Sequence, residues 1–153
     1  MELRKYCRSD LAQMAELFYY TVHFVCGRDY TKKQLDAWAP GKIDEENWHR
    51  RYSCSYTLLA VDGDKILGFG NIDDSGYLDM LYVHKDHQRK GVAACICDGL
   101  EKHCPAKEIT VHASVTAKPF FAARGYRVVK EQTVMCRGVE MTNDVMVLTR
   151  MMR

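Results

Sequence analysis

Apolar residues recur at Leu11, Met14, Ala15, Phe18, Val22 and Val25, spacings of three, four and seven that lie on one face of a helix. Ser9 and Asp10 stand just ahead as an N-cap and a first-turn acid. Residues 1–6 before them read as a short strand. Thr31 caps a second short helix holding Leu35 and Trp38, which stops near Pro40 and Gly41. A third helical stretch covers Asp44 to Arg51. From there the period changes. "YTLLAV" and "ILGFGNI", joined by "DGDK", predict a β-hairpin, and after the turn "DDSG" the run "YLDMLYV" predicts a further strand. Val92, Ile96, Gly99, Leu100 and His103 mark another helix face. "EITVHA" reads as a strand, Thr116–Ala123 as a short helix, and "YRVVKEQTV" and "DVMVLTRM" as two last strands.

The order strand, helices, three strands, helix, strand, helix, two strands predicts an α+β fold. Its expected form is one domain over 1–153, with a mixed, mostly antiparallel central sheet flanked by helices. At 153 residues, 47% of them hydrophobic and 27% charged, the chain is long enough for a sizeable core and ordinary for a globular protein. A net charge of +2 argues against a nucleic-acid partner. The longest apolar run near a helix, Val92–Cys97, is too short to span a membrane, and the opening Met-Glu-Leu-Arg does not read as a secretion signal. Seven cysteines without a CxxC pair suit reduced thiols in a cytoplasmic protein. Six histidines without HExxH or another ligand spacing predict no metal.

The chemistry concentrates in "HKDHQRKGVA", residues 84–93, a polar turn set between an apolar strand and an apolar helix. The first amides of a helix are unpaired and carry a partial positive charge, which suits phosphate where the backbone is accessible. Gly91 allows that approach, Ala93 and Ala94 are small, and Arg89 and Lys90 add charge. Read alone, the loop suits either a pyrophosphate cradle or a solvated connection whose glycine begins a helix. Neither GxxxxGK[ST] nor GxGxxG is present.

The longer stretch "LYVHKDHQRKGVAA" resembles motif A of the GNAT N-acetyltransferase superfamily, with Gln88, Gly91 and Ala93 at the motif's positions. "VHASVTAKPFFAARGYRVV" resembles motif B, which ends in a Gly and an aromatic, here Gly125 and Tyr126. "DYTKKQLDAWAP", "TAKPFF" and "CRG" are similar to the YafP-like group of bacterial acetyltransferases within it. The resemblance implies an acetyl-CoA site as co-substrate and a splay between two central strands. The amides of Arg89, Lys90, Gly91, Val92, Ala93 and Ala94 would hold the pyrophosphate. Pantetheine would lie along Leu81, Tyr82 and Val83 as an added strand would, with an amide of that edge near the thioester carbonyl.

Two positions depart from the family pattern. Val115 stands where many members have a cofactor-contacting Asn, and Phe121 where many have the Tyr that protonates the departing thiolate. Thr116 is assigned part of the Asn role and Phe121 to the cofactor wall. Tyr82 and Tyr126 are acid candidates by location, though both suit packing better. For the base, some members use a Glu at the position of Tyr77. Period two places Tyr77, Asp79, Leu81 and Val83 on one face, which makes Asp79 the candidate catalytic residue, with a structural pairing as its alternative. Tyr30 and Trp38 are the candidate acceptor-side residues.

The function expected is transfer of acetyl from acetyl-CoA to the amine of a small molecule by direct attack in a ternary complex. A non-catalytic acyl-CoA-binding module, and acetylation of a protein N-terminus or a charged tRNA, stay open as alternatives. So does a homodimer.

Overall fold

The computed structural model describes residues 1–151. One seven-stranded sheet organises it: β1 (Glu2–Lys5), β2 (Tyr56–Asp62), β3 (Lys65–Ile72), β4 (Tyr77–Val83), β5 (Glu108–Ser114), β6 (Arg127–Cys136) and β7 (Val139–Thr149), in the order β1-β2-β3-β4-β5-β7-β6. Every pairing is antiparallel except β4 with β5. The expected α+β, mostly antiparallel architecture is thus the observed one.

Each face of the sheet carries its own core. Alternation along β2 shows the division: Leu59 and Val61 join one cluster, Leu58 and Ala60 the other. Helices α1 (Leu11–Val25), α2 (Lys32–Trp38) and α3 (Glu45–Ser53) cover the first face, and α4 (Val92–His103) and α5 (Lys118–Ala123) the second. Both faces being covered is why "YTLLAV" is a continuous apolar run rather than an alternating one. In α1 the predicted stripe is the buried one, with Leu11, Met14, Phe18 and Val22 all in the first core. Thr31 caps α2 as expected, accepting from the Gln34 amide while the Gln34 side chain accepts from the Thr31 amide.

Three departures from the sequence reading have physical causes. The last strand begins at Val139, well before Asp144, because Arg137 and Gly138, at φ 46° and 78°, form a tight hairpin turn with β6. Asp10, read as a first-turn acid behind an N-cap Ser9, itself stands at the N-cap of α1 without a side-chain capping bond; its carboxylate accepts two hydrogen bonds from Arg4, at 2.8 and 2.9 Å. The third lies in β4. Across β3, Asn71 pairs with Met80 and Ile72 with Leu78, so Asp79 is an extra, unpaired residue. This bulge inverts the alternation. Leu78, Leu81 and Val83 face α4, whereas Met80 and Tyr82 face α1, and Asp79 reaches towards Arg51 on α3. Asp79 therefore does not share a face with Leu81 and Val83 as strict period two predicted.

The parallel pairing of β4 with β5 lasts two residues, Tyr77 with Thr110 and Leu78 with Val111. Beyond it β4 stays with β3, and β5 follows β7 along its whole length. The sheet opens between them. No helix among the described residues is long and apolar enough to cross a membrane, and all seven cysteines are free thiols.

Candidate active site

The opening between β4 and β5 is a cavity of about 730 Å³ that runs from the fork of the two strands to the start of α4. Of the residues singled out in the sequence, Asp79, Leu81, Tyr82, Val83, Gln88, Arg89, Gly91, Val92, Ala93, Ala94, Thr116, Phe121 and Trp38 line it. Lys90 is exposed outside the lining.

At the α4 end the backbone is shaped to present amides. Arg89 and Gly91 have φ of 60° and 81°, and no side chain caps the helix. Positive φ in a non-glycine residue is costly and is retained where the surroundings impose it. A Cβ added at Gly91 would meet nothing within 4 Å, so the approach to the helix start is open. The loop is tied down from beneath. The Val83 carbonyl accepts from Gln88 Nε2 at 2.7 Å and from Thr21 Oγ1, on α1, at 2.8 Å. Burial and the nearby Lys65 ammonium push the His84 imidazole pKa down, and its Nδ1 accepts from the Asp86 amide at 3.1 Å.

Along β4, the Met80 amide donates to Asn71 Oδ1 at 2.9 Å and the His84 amide to the Leu67 carbonyl at 2.8 Å, both towards β3. By alternation, the amides of Leu81 and Val83 face the opening, where β5 has turned away.

At the fork, Asp79 Oδ2 lies 2.8 Å from Arg51 Nε and 3.4 Å from Asn71 Nδ2. The carboxylate is thus paired, not isolated among apolar groups. Asn71 is 1% exposed and serves three partners: the Met80 amide, Asp79 and Ser55 Oγ. It holds the bulge in place of the ladder bond that the bulge removes. His112, on β5, also lines the cavity, its ring 5.2 Å from that of Tyr77 in an edge-on contact.

The aromatic candidates divide. Trp38 lines the cavity and donates its indole N–H to the Tyr82 hydroxyl at 3.1 Å. Burial drives the Tyr82 pKa upward, against that hydrogen bond. Tyr30 lies off the lining; its hydroxyl donates to the Thr142 carbonyl at 3.0 Å and accepts from the Val115 amide at 2.9 Å. These two bonds pin the β5–α5 turn to β7, and the ring lies 5.3 Å from that of Trp38. Tyr126 also lies off the lining and donates to Glu101 at 2.8 Å, and burial together with that carboxylate raises its pKa. Thr116 donates to Asp29 at 2.7 Å, and Phe121 is buried against Phe120 and Tyr126.

Arg51, Asn71, Thr21 and His112 escaped the sequence reading. One signal was present: an Asn inside the apolar run "ILGFGNI" needs a partner when buried.

An α+β sheet parted between one parallel pair of strands, above a helix with open N-terminal amides, is the architecture of an acyl-CoA transferase domain. The chain belongs to the GNAT family: residues 26–148 match the family's acetyltransferase (GNAT) domain. It is 36% identical over 146 residues to the uncharacterized N-acetyltransferase YafP of Escherichia coli K12, covering 95% of this chain and 94% of that one. A GCN5-related N-acetyltransferase structure from Rhodopseudomonas palustris superposes with a TM-score of 0.93 at 34% identity, over 97% of this chain and 94% of that one. The fold is also that of the PaiA N-acetyltransferase of Thermoplasma acidophilum, in complex with coenzyme A, with a TM-score of 0.78 at 18% identity over 97% and 98% of the two chains.

Proposed function

We propose that this acetyl-CoA-dependent N-acetyltransferase moves acetyl onto the amine of a small molecule by direct attack in a ternary complex. The observation that carries the reading is the continuous cavity from the uncapped start of α4 to the fork, with Arg89 and Gly91 in positive-φ conformations at one end and Asp79 at the other. The residues present suit acetyl-CoA. The amides of residues 89–94 hold its pyrophosphate, with Gln88 supporting the loop from below. Leu81 and Val83 offer free amides to the pantetheine arm, one of them placed for the oxygen on which negative charge develops. Thr116 and Phe121 form part of the wall. The co-substrate supplies the activated acetyl group; the protein binds, aligns and excludes water. Asp79 holds the acceptor's ammonium at the fork, oriented by Arg51, and Trp38 closes the acceptor side.

Alignment of amine and thioester removes most of the entropic cost of encounter, and no covalent intermediate on the protein is needed. The experiment is direct. Purified protein is incubated with acetyl-CoA and a panel of primary amines, and CoA release and acetylated product are followed. Amine-dependent product supports transfer. Tight acetyl-CoA binding without amine-dependent release would instead identify an acyl-CoA-binding module.

A further inference from the structure

We infer that His112 is the base that receives the acceptor's proton. The inference rests on the proposed transfer to an amine and names the group that makes the amine nucleophilic. Leu78 and Val111 are the last paired residues of β4 and β5, so Asp79 and His112 are the next residues on the two separating strands. Both line the cavity, and Tyr77, on the face of Asp79, touches the His112 ring. The fork therefore carries a carboxylate on one strand and an imidazole on the other.

Their states of engagement differ. Asp79 is bound by Arg51 and Asn71. The His112 ring is exposed, and among the described residues it has no hydrogen-bond partner. The other titratable cavity groups are poorly suited. Burial drives the Cys26 thiol and the Tyr82 hydroxyl pKa values up, and His87 belongs to the loop beyond the far end of β4. An imidazole nitrogen with no other partner can take a proton from a group bound beside it, the role of a general base. Tyr77 of β4 packs against the His112 ring, Asp79 is the first residue of β4 beyond the last strand pair, and Arg51 of α3 is paired with Asp79. On the face of His112, the uncharged Val145 of β7 separates it from Lys130 of β6.

The balance is simple. The ammonium gives one proton to His112. The free amine forms the N–C bond to the thioester carbonyl carbon, and the C–S bond breaks. The thiolate takes the second proton lost by nitrogen, and His112 returns the first to water.

The test uses acetyl-CoA with benzylamine, putrescine and glycinamide as acceptors, on wild type, His112→Gln and His112→Ala. His112→Gln should lower kcat/KM for the amine at pH 7 by about 100-fold, within the usual range for a lost acid–base group, with acetyl-CoA affinity unchanged by calorimetry. The deficit should shrink as pH rises towards the pKa of the amine, which then arrives deprotonated. Added imidazole should restore part of the rate of His112→Ala. A transferring wild type whose His112→Gln variant keeps its rate and pH profile overturns this role alone. A deficit that is equal at all pH values and unaffected by imidazole does the same, since it marks a packing role. A wild type that binds acetyl-CoA but acetylates none of the three amines overturns the transfer reading, and this one with it.

Discussion

Asp10 shows how a single side chain can serve the frame rather than the chemistry. Burial acts to raise its pKa, but hydrogen bonds from Arg4 and from the backbone and thiol of Cys7 outweigh that and hold it below the usual carboxylate range. A folded-state pKa below the unfolded value of about 3.9 contributes stability at higher pH, lost as pH falls through the folded value. Arg4 is partly exposed, which limits the pair, so Asp10→Asn should cost about 1 kcal/mol at pH 7. The gap from wild type should close in acid, as read from denaturant unfolding at a series of pH values. Gly91→Glu should abolish acetyl-CoA binding in calorimetry while the protein stays folded. The new side chain has open space, but it brings strain at φ 81° and a negative charge to the helix start. Phe121 is 2% exposed and packed between rings. Phe121→Tyr should leave turnover unchanged or raise it modestly; a loss beyond about tenfold, roughly 1.4 kcal/mol, would show that an apolar edge is required there.

Among the elements, β4 governs the site. Its bulge turns Asp79 towards Arg51 and keeps Leu81 and Val83 on the α4 side, and Asn71 is the residue that stabilises the bulge. Asn71→Ala leaves the Met80 amide, Asp79 and Ser55 each short of a partner. The expected cost is about 2–3 kcal/mol in stability, the scale for stranding buried polar groups, measured by denaturant unfolding. Because the fork moves with the bulge, amine kcat/KM should fall as well, whereas acetyl-CoA affinity, set at the other end of β4, should change less. Equal losses in both would show that the bulge supports the whole opening rather than the fork alone.

At the scale of the molecule, the sheet is two halves, β1-β2-β3-β4 and β5-β7-β6, joined by two residue pairs and by the helices packed across them. A ligand lying between the halves should stabilise the native state. At a free acetyl-CoA concentration about 100 times its Kd, mass action predicts a gain of about 2.7 kcal/mol. Thermal unfolding should rise by several degrees in wild type and stay unmoved in Gly91→Glu.

Much of this frame was legible from local order. The stripe from Leu11 to Val25, the capping box at Thr31, the "DGDK" hairpin and the polar turn at 84–93 depend on residues a few positions apart, where period and capping chemistry act. The turn could be read as a candidate phosphate site, with a plain helix start as its alternative, because its glycine and small residues leave the helix amides open. What could not be read depends on residues far apart in the chain. Period two put Asp79 on the face of Leu81 and Val83, because the bulge that separates them is held by Asn71 on the neighbouring strand. The hydrogen bonds by which Tyr30 braces Val115 and Thr142 join residues 85 and 112 positions apart. Arg51 and Asp79, from a helix and a strand, pair where β4 and β5 part, and His112 is the first residue of β5 beyond the last pair. Local pattern determined the elements and the loop; the parting of the sheet, which no single strand encodes, decided which side chains face one another across it.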